Sequence, residues 1–240
     1  MPLMLSEVDA AADFPVLVRC MLESYNDPVQ SFADVYFAPR GDHEERVREA
    51  AARFAAWHAH DPSSYWQKVV DTETGEIVGG ALWNIHRDNP FAEADDHIEI
   101  TWFHDEGLRK YAAEFLRQYS TPRALVGQRP QVYLFNIFTK PTYRRRGVAQ
   151  QFLSWGMRKA DEMGVEMFLD ATAVGKPLYE ANNFVCIKEN IVSPDLGTET
   201  PVGAWKELES QVGEIPFYLM WRPVKGRYVE GETVLPGSEE

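Results

Sequence analysis

Apolar residues along this chain recur with two alternating periods, one typical of helices and the other of strands. Spacings of three and four residues predict helices over 13–25, 42–60, 108–119 and 175–182, and over 143–163 after an initial turn. Short apolar runs predict strands over 3–8, 65–70, 76–85, 131–138, 165–169, 184–192 and 215–221. The pattern therefore indicates an α/β protein, with a mixed sheet and helices on both of its faces.

Turn and cap residues mark several of these boundaries. Asp42 stands at the N-cap position of the second helix, and Glu45 follows at the distance of a capping box. The apolar stripe of that helix comprises Val47, Ala50, Ala51, Phe54 and Trp57. Pro122 is expected to stop the helix over 108–119, and Gly164 occupies the C′ position after residue 163. Two adjacent glycines inside the strand over 76–85 predict a bulge or a close backbone approach.

The 240 residues, 45% of them apolar, suffice for one domain, which we assign to residues 1–225 with an insertion at about 86–130. The polar residues 226–240 are expected to form a flexible tail. The net charge of −13 argues against nucleic acid as the main partner. The same charge suits either solubility alone or the attraction of a cationic substrate.

Two cysteines, Cys20 and Cys186, are too few for a disulfide framework and are typical of a reduced, cytoplasmic chain. The first residues lack the basic and apolar regions of a secretory signal, and no apolar stretch approaches the roughly 18 residues of a membrane span. We therefore expect a cytoplasmic protein without a membrane partner, and a nuclear location is compatible with the same features. The oligomeric state is left open, with a dimer among the possibilities.

Positive charge is concentrated at one helix start in this otherwise acidic chain. Residues 139–160 contain six basic residues and no acidic one. The strand before them ends at Lys140 and Pro141, three arginines follow, and Gly147 lies where the next helix begins. The first turn of a helix has backbone N–H groups without partners and carries partial positive charge. Such donors bind pyrophosphate, and a glycine lets the backbone approach the phosphates.

Two other interpretations of this segment are a solvated basic surface turn and a nucleic-acid patch. The combination of strand, proline, basic turn, glycine and apolar helix favours phosphate binding over the first. The acidity of the rest of the chain and the lack of interleaved aromatic residues disfavour the second.

The segment Arg144-Arg145-Arg146-Gly147-Val148-Ala149 resembles the acetyl-CoA motif Gln/Arg-x-x-Gly-x-Gly/Ala of the GNAT N-acetyltransferase family. The resemblance implies a mixed, mostly antiparallel central sheet with helices on both faces, whose fourth strand binds the pantetheine arm through its backbone. On this chain those backbone groups belong to Phe138 and Thr139. The pyrophosphate is then expected on the N–H groups of Arg144, Arg145, Arg146, Gly147, Val148, Ala149 and Gln150.

A second segment, residues 177–184, resembles Leu-Tyr-Glu-Lys-x-Gly-Phe of the same family. It implies that Tyr179 protonates the thiolate that leaves during acetyl transfer, because a phenol with a pKa of about 10 is protonated at neutral pH. Packing between helix and sheet is the alternative role. Asn183 replaces the family's glycine at a position expected to be left-handed. Thr172 replaces an asparagine that contacts the cofactor in many members of the family. Its smaller hydroxyl either makes that contact instead, or the contact is lost. The segments 56–58 and 78–83 resemble uncharacterised GNAT proteins of filamentous fungi.

Residues 86–106 are strongly acidic and precede the cofactor strand, where GNAT proteins elaborate the acceptor cleft. Carboxylates there could hold a cationic amine, with Trp83, Trp102 and Phe103 lining the cleft. A solvated loop over core aromatic residues is the alternative. The amine must lose a proton before it attacks, and the candidate bases are Glu99, His97, His104, Asp105 and Glu106. We therefore expect Glu99 and Asp105, together with Tyr179, to be the catalytic residues.

These features predict an acetyl-CoA-dependent N-acetyltransferase that acts on a primary amine, in a small and cationic molecule, by direct transfer in a ternary complex. A route through an acetyl-cysteine is disfavoured because Cys186 has no evident histidine partner. No metal is required. The alternatives are acetylation of a protein lysine or N-terminus, and a non-catalytic module that binds acyl-CoA.

Overall fold

The computed structural model describes residues 2–37, 42–92, 99–197 and 200–238. Within these ranges the chain forms seven strands and seven α-helices. The strands are β1 (Leu3–Glu7), β2 (Ser64–Asp71), β3 (Glu76–His86), β4 (Gln131–Thr139), β5 (Glu166–Thr172), β6 (Val185–Val192) and β7 (Ile215–Arg222). The helices are α1 (Phe14–Asn26), α2 (Ala33–Tyr36), α3 (His43–His60), α4 (Glu106–Val126), α5 (Val148–Met163), α6 (Lys176–Glu180) and α7 (Trp205–Val212).

The predicted fold class is confirmed. All seven predicted strands are present, and β1–β2, β2–β3, β3–β4 and β6–β7 are antiparallel pairs. The five predicted helices correspond to α1, α3, α4, α5 and α6. No helix in the described ranges has both the length and the apolar character needed to cross a bilayer.

The described chain divides into two compact units. The first contains β1 to β4 with α1, α3 and α5. Its four strands follow one another in the order β1-β2-β3-β4. In this unit α1 packs against α3, β3 and β4, and α5 packs against β3 and β4.

The adjacent glycines of β3 allow α1 and α5 to approach this strand from opposite sides. A Cβ at Gly79 would lie 2.7 Å from Val148 Cγ1 at the start of α5. A Cβ at Gly80 would lie 3.0 Å from Leu17 Cδ2 of α1. Successive residues of a strand point to opposite faces, so the two helices lie on opposite faces of β3. The predicted close approach at these glycines is confirmed.

The second unit contains most of β5 together with β6, β7, α2, α4, α6 and α7. Strand β7 lies between β5 and β6. Helices α4 and α7 pack together through the rings of Tyr111 and Trp205, whose centroids are 5.0 Å apart. The ring of Phe217 on β7 packs edge-on against Tyr119 of α4. Residues inside the predicted insertion therefore contribute to the hydrophobic core of this unit.

The prediction that Pro122 stops a helix is wrong, because α4 continues through it to Val126. Proline lacks the N–H that would bond the carbonyl four residues earlier, which belongs to Gln118. That carbonyl instead accepts a hydrogen bond from Asn190 Nδ2 of β6 at 3.0 Å. A partner distant in sequence thus satisfies the group that the proline leaves without a bond.

Three smaller differences concern helices. The sequence pattern missed the short α2 and also α7, although Trp205, Leu208 and Val212 of α7 have helical spacing. Asp42 is the N-cap of α3, but its side chain makes no capping hydrogen bond in the described structure. Trp57 was expected in the buried stripe of α3 and is instead 39% exposed.

Candidate functional site

The turn between β4 and α5 contains two residues with left-handed backbone. Pro141–Tyr143 forms a single 3₁₀ turn, after which Arg145 has φ 58° and Gly147 has φ 82°. Apart from the residues adjacent to it in the chain, no atom of the described structure lies within 4 Å of the place that a Cβ on Gly147 would take. A left-handed residue before a helical one directs successive N–H groups toward one concave side, which binds anions. The space beside Gly147 is therefore open to a ligand.

Helix α5 begins on this open side. The hydrogen bond from Gln151 N–H to the Gly147 carbonyl, at 3.1 Å, closes the first turn. The N–H groups of Val148 and Ala149 precede that bond, so they have no acceptor within the helix. Together with the positive end of the helix dipole they form donors for a pyrophosphate. The Gln150 side chain turns along the helix, where Nε2 is 3.3 Å from Ser154 Oγ.

The three arginines of the turn have different surroundings. Arg144 Nη2 donates to the carbonyl of Ser24 at 2.9 Å, and this bond ties the turn to the last part of α1. Arg145 and Arg146 are exposed. The guanidinium carbon of Arg146 lies 5.0 Å from the centroid of the Tyr143 ring. Arg144 is thus engaged with the protein, whereas the other two present charge to solvent beside the helix start.

The last residues of β4 lie next to the same helix start. Phe138 and Thr139 pair with Gly80 and Gly79 of β3. Thr139 Oγ1 is buried and has no hydrogen-bond partner in the described part of the chain. It lies 3.5 Å from the Cβ position of Gly79, which also faces Val148. A buried hydroxyl without a partner costs free energy, so an acceptor on a bound ligand would stabilise this position.

Beneath the turn lies a polar network that the sequence did not reveal. The Tyr143 hydroxyl is 3.0 Å from Asp71 Oδ2 and 3.2 Å from Glu76 Oε2. Lys140 Nζ donates to Glu76 Oε1 at 2.6 Å and forms an ion pair with Glu23 at 3.1 Å. Burial alone would lower the pKa of Lys140, but its bonds to Glu76 and Glu23 outweigh burial and raise it. The predicted β2–β3 hairpin indicates that Asp71 and Glu76 lie close together. It gives no indication that Tyr143 contacts them.

Tyr179 lies in α6 of the second unit. Its side chain is 6% exposed, and its ring packs edge-on against Phe184 with the centroids 5.9 Å apart. Burial raises the pKa of the Tyr179 phenol, and the described residues include no hydrogen-bond partner for its hydroxyl. The phenol is therefore a protonated donor at neutral pH, which is the state that the acid role requires. Its ring also fills space against Phe184, so the packing role is present as well.

Two further residues of the second motif are placed by the structure. Asn183 has φ 64°, which confirms the predicted left-handed conformation. Thr172 Oγ1 accepts a hydrogen bond from Gly175 N–H at 3.2 Å and closes the turn between β5 and α6. Because this bond uses the oxygen of Thr172, its hydroxyl proton stays available to another acceptor. Its contact with the cofactor stays a prediction.

Asp105 holds the start of two helices. Its Oδ1 accepts hydrogen bonds from Leu108 N–H of α4 at 3.0 Å and from Ala204 N–H, before α7, at 2.9 Å. The bond from Ala204 is the largest cause that lowers the pKa of the Asp105 carboxyl, followed by the bond from Leu108. A carboxylate that already accepts these bonds is a weak proton acceptor. The geometry therefore favours a structural role for Asp105 over the predicted role of base.

We expect Asp105→Ala to unfold at a lower temperature than the parent protein near pH 7. The folded pKa of Asp105 is lowered, so its stabilising contribution is present above the unfolded pKa of about 3.9 and is lost as the pH falls through the folded value. Melting curves at pH 7 and at lower pH should show the difference narrowing below about pH 4. Glu106→Ala, which changes the adjacent exposed carboxylate, is the matched control. Equal melting temperatures for Asp105→Ala and the parent protein at pH 7 would contradict the capping role.

The other candidate bases have fewer contacts. Glu99 and His104 are exposed. Glu106 is exposed in the first turn of α4 and forms an ion pair with Lys110 at 3.3 Å. His97 lies outside the described residues, as do three acidic residues of the same segment. No contact within the described ranges joins Glu99 or Asp105 to Tyr179, so the choice of base stays a prediction.

Two of the three aromatic residues expected in an acceptor cleft belong to the core. Trp83 is fully buried, its Nε1 donates to Gln67 Oε1 at 2.9 Å, and its ring occupies the space that a Cβ on Gly156 would need. Phe103 is buried in the hydrophobic core of the second unit. The prediction that these two line a cleft is therefore wrong. Trp102 is partly buried and donates through Nε1 to the Val35 carbonyl at 2.8 Å.

Neither cysteine lies in an environment that favours the thiolate form. Burial raises the pKa of the Cys20 thiol to about 12, and burial is also the largest cause that raises the pKa of Cys186. The thiolate is the reactive form, so these environments disfavour an acetyl-cysteine. Among the described residues, no group of three or more His, Cys, Asp or Glu side chains is placed to hold a metal ion.

Comparisons with known proteins address the fold and the family of this chain. Three similar solved structures share the fold at low sequence identity. The histone acetyltransferase HPA2 and related acetyltransferase from Corynebacterium glutamicum has 20% identity and a TM-score of 0.52, with 93% of this chain and 97% of that chain covered. A mosquito arylalkylamine N-acetyltransferase like 5b has 13% identity and a TM-score of 0.56, with coverage of 92% and 99%. The C-terminal condensation domain of Ebony, in complex with β-alanyl-dopamine, has 14% identity and a TM-score of 0.61, with the same coverage.

A search of the curated proteins gave no match. The model of the acetyltransferase (GNAT) family matches residues 26–184, which is more than half of the chain and includes both the Gly147 turn and Tyr179. The chain belongs to the GNAT acetyltransferase family.

Proposed function

We propose that this protein uses acetyl-CoA to acetylate a primary amine of a small molecule, by direct transfer in a ternary complex. The observation that carries the proposal is the open, left-handed turn at Gly147 in front of the N–H groups of Val148 and Ala149. These backbone donors suit a pyrophosphate. The exposed guanidinium groups of Arg145 and Arg146 add positive charge beside it, and Thr139 Oγ1 offers a further hydrogen bond.

Bound acetyl-CoA supplies an acetyl group that is already activated as a thioester. The chain's own residues then bind the phosphates at the Gly147 turn, supply a proton to the leaving sulfur and accept a proton from the amine. Tyr179 Oη holds a proton that it can give to the departing sulfur, since the phenol is protonated and its hydroxyl has no partner in the described structure. Glu99, exposed at its position before α4, is the proposed acceptor of the amine's proton, directly or through water.

The acceptor is proposed to be a small cationic amine. The support is the charge of the chain, −13 overall, together with the acidic composition of residues 86–106. A mosquito protein of the same fold is named for arylalkylamine acetylation, so an arylalkylamine is a suitable first compound to test. The resemblance to fungal members and a cytoplasmic location remain parts of the proposal.

We expect acetyl-CoA to raise the melting temperature of the protein. A ligand at one hundred times its dissociation constant stabilises the folded state by about 2.7 kcal/mol. For a chain of this size that corresponds to roughly 5–10 °C. Thermal melting with and without millimolar acetyl-CoA measures the shift, and pantetheine, which lacks the phosphates, is the control ligand. No shift with saturating acetyl-CoA would contradict the cofactor assignment.

An amine screen with detection of the released thiol distinguishes the three readings of function. Release of CoA with a small amine supports the proposal. Release only with peptides that carry a free lysine or N-terminus supports a protein acetyltransferase. Tight binding of acetyl-CoA with no release by either class supports a non-catalytic module.

A further inference from the structure

The polar network beneath the Gly147 turn has no role in the function proposed so far. Tyr143 is 8% exposed, and its hydroxyl lies between the carboxylates of Asp71 and Glu76 at 3.0 and 3.2 Å. Asp71 is fully buried, and its other oxygen accepts from Glu73 N–H at 3.0 Å. Glu76 also receives Lys140 Nζ at 2.6 Å. The Tyr143 ring is therefore anchored from below by the β2–β3 hairpin.

The Tyr143 ring also contacts an arginine. The guanidinium carbon of Arg146 lies 5.0 Å from the Tyr143 ring centroid, within the range of a cation–π contact. Arg146 is exposed and immediately precedes Gly147, the N-cap of α5. An exposed arginine ordinarily samples many rotamers, and ordering it on binding costs free energy. The ring limits this freedom before a ligand arrives.

We propose that Tyr143 is a positioning residue that holds Arg146 ready for a phosphate group of the cofactor. Of the three arginines, Arg144 is engaged with the Ser24 carbonyl, and Arg145 makes no contact with a ring or carboxylate in the described structure. Only Arg146 among the three is exposed, restrained by a neighbouring ring and adjacent to Gly147. The inference rests on the proposed function, because the ligand is taken to be CoA.

Binding of CoA, measured by calorimetry at two salt concentrations, tests the role of Arg146. Arg146→Gln should weaken binding roughly tenfold, the effect of one hydrogen bond to a charged group, and should reduce the dependence of affinity on salt. Arg158→Gln, which removes an exposed arginine farther along α5, is the matched control and should change neither quantity. Dephospho-CoA, which lacks the ribose phosphate, identifies the partner of Arg146. If Arg146→Gln weakens CoA but not dephospho-CoA, the partner is the ribose phosphate; equal weakening points to the pyrophosphate.

A double-mutant cycle tests the role of Tyr143. Tyr143→Leu should weaken CoA binding about threefold when Arg146 is present, the size of an exposed cation–π contact, and should have no effect when residue 146 is Gln. Tyr143→Phe keeps the ring but loses the bonds to Asp71 and Glu76, so it should melt earlier and weaken CoA binding by less than Tyr143→Leu does. A structural role alone would weaken binding equally in both backgrounds at position 146, and that result would overturn the proposal.

Failure of this inference differs from failure of the proposed function. If the parent protein does not bind CoA, both are wrong. If the parent binds CoA and Arg146→Gln binds it with the same affinity and salt dependence, only the inference about Tyr143 and Arg146 is wrong. Arg146 is exposed, so its substitution tests the proposal even if the Tyr143 variants do not fold.

Discussion

Replacement of Tyr179 by Phe should lower kcat by a factor of roughly 10²–10⁴, the usual effect of losing a general acid. The change removes one hydroxyl and almost no volume, so packing against Phe184 is retained. Affinity for acetyl-CoA should change little, because the proton is needed mainly as negative charge develops on sulfur. The measurements are kcat with an active amine and a dissociation constant for acetyl-CoA.

Burial raises the pKa of the Tyr179 phenol and so makes it a weaker acid. This limits the thiolates to which it can transfer its proton. Transfer to a thiolate of ordinary pKa, about 8.5, would be unfavourable. Burial raises thiol pKa values as well, and in this chain it brings Cys20 to about 12. Equal burial of the leaving thiolate would narrow this difference, because burial destabilises the charged form of the sulfur as well. In a wetter environment the phenol would stabilise the thiolate by a hydrogen bond without complete transfer.

Tyr111→Phe is the matched control for this experiment. Tyr111 is also a buried phenol of the second unit, and burial is the largest cause that raises its pKa, to about 12, but it lies in the core against Trp205. Its loss should leave kcat unchanged. An unchanged kcat for Tyr179→Phe, in a folded protein whose rate is limited by chemistry, would refute the acid role. Water or the departing ammonium would then supply the proton.

Gly147→Glu should abolish measurable binding of acetyl-CoA. The new carboxylate would occupy the open space where the pyrophosphate is expected, and two like charges about 4 Å apart repel by roughly 4 kcal/mol at an effective dielectric constant of 20. That energy corresponds to a thousandfold loss of affinity, to within about a factor of two. Calorimetric titration with acetyl-CoA measures the loss.

Gly164→Glu separates this effect from backbone strain. Gly164 ends the same helix, has φ 68° against 82° at Gly147, and likewise has no atom within 4 Å of a Cβ position. Both variants place a side chain in the left-handed region, so both should melt earlier than the parent protein. Only Gly147→Glu should lose the cofactor. If its affinity is unchanged, or if both variants lose affinity equally, the Gly147 turn is not the phosphate site.

The turn was accessible from sequence because its determinants are contiguous. An apolar strand, a proline, a basic run, a glycine and an amphipathic helix lie in one segment, and each acts through its own backbone or through near neighbours. The left-handed conformation of Asn183 was predicted in the same way, because asparagine tolerates this conformation after a helix. The different surroundings of the three arginines did not follow, since Ser24 and Tyr143 distinguish them only in the folded chain.

The sequence by itself determined the class of fold, the seven strands and the position of the glycine turn before α5, because side-chain periodicity and helix ends are local properties. Only the tertiary structure decided which polar and aromatic groups are structural. Pro122 stays inside a helix because Asn190 satisfies the freed carbonyl, and Asp105 is a cap because Ala204 reaches it from α7. Trp83 is core because Gly156 leaves room for its ring. In each case the deciding partner lies more than 60 residues away in the sequence, so the local sequence pattern cannot indicate it.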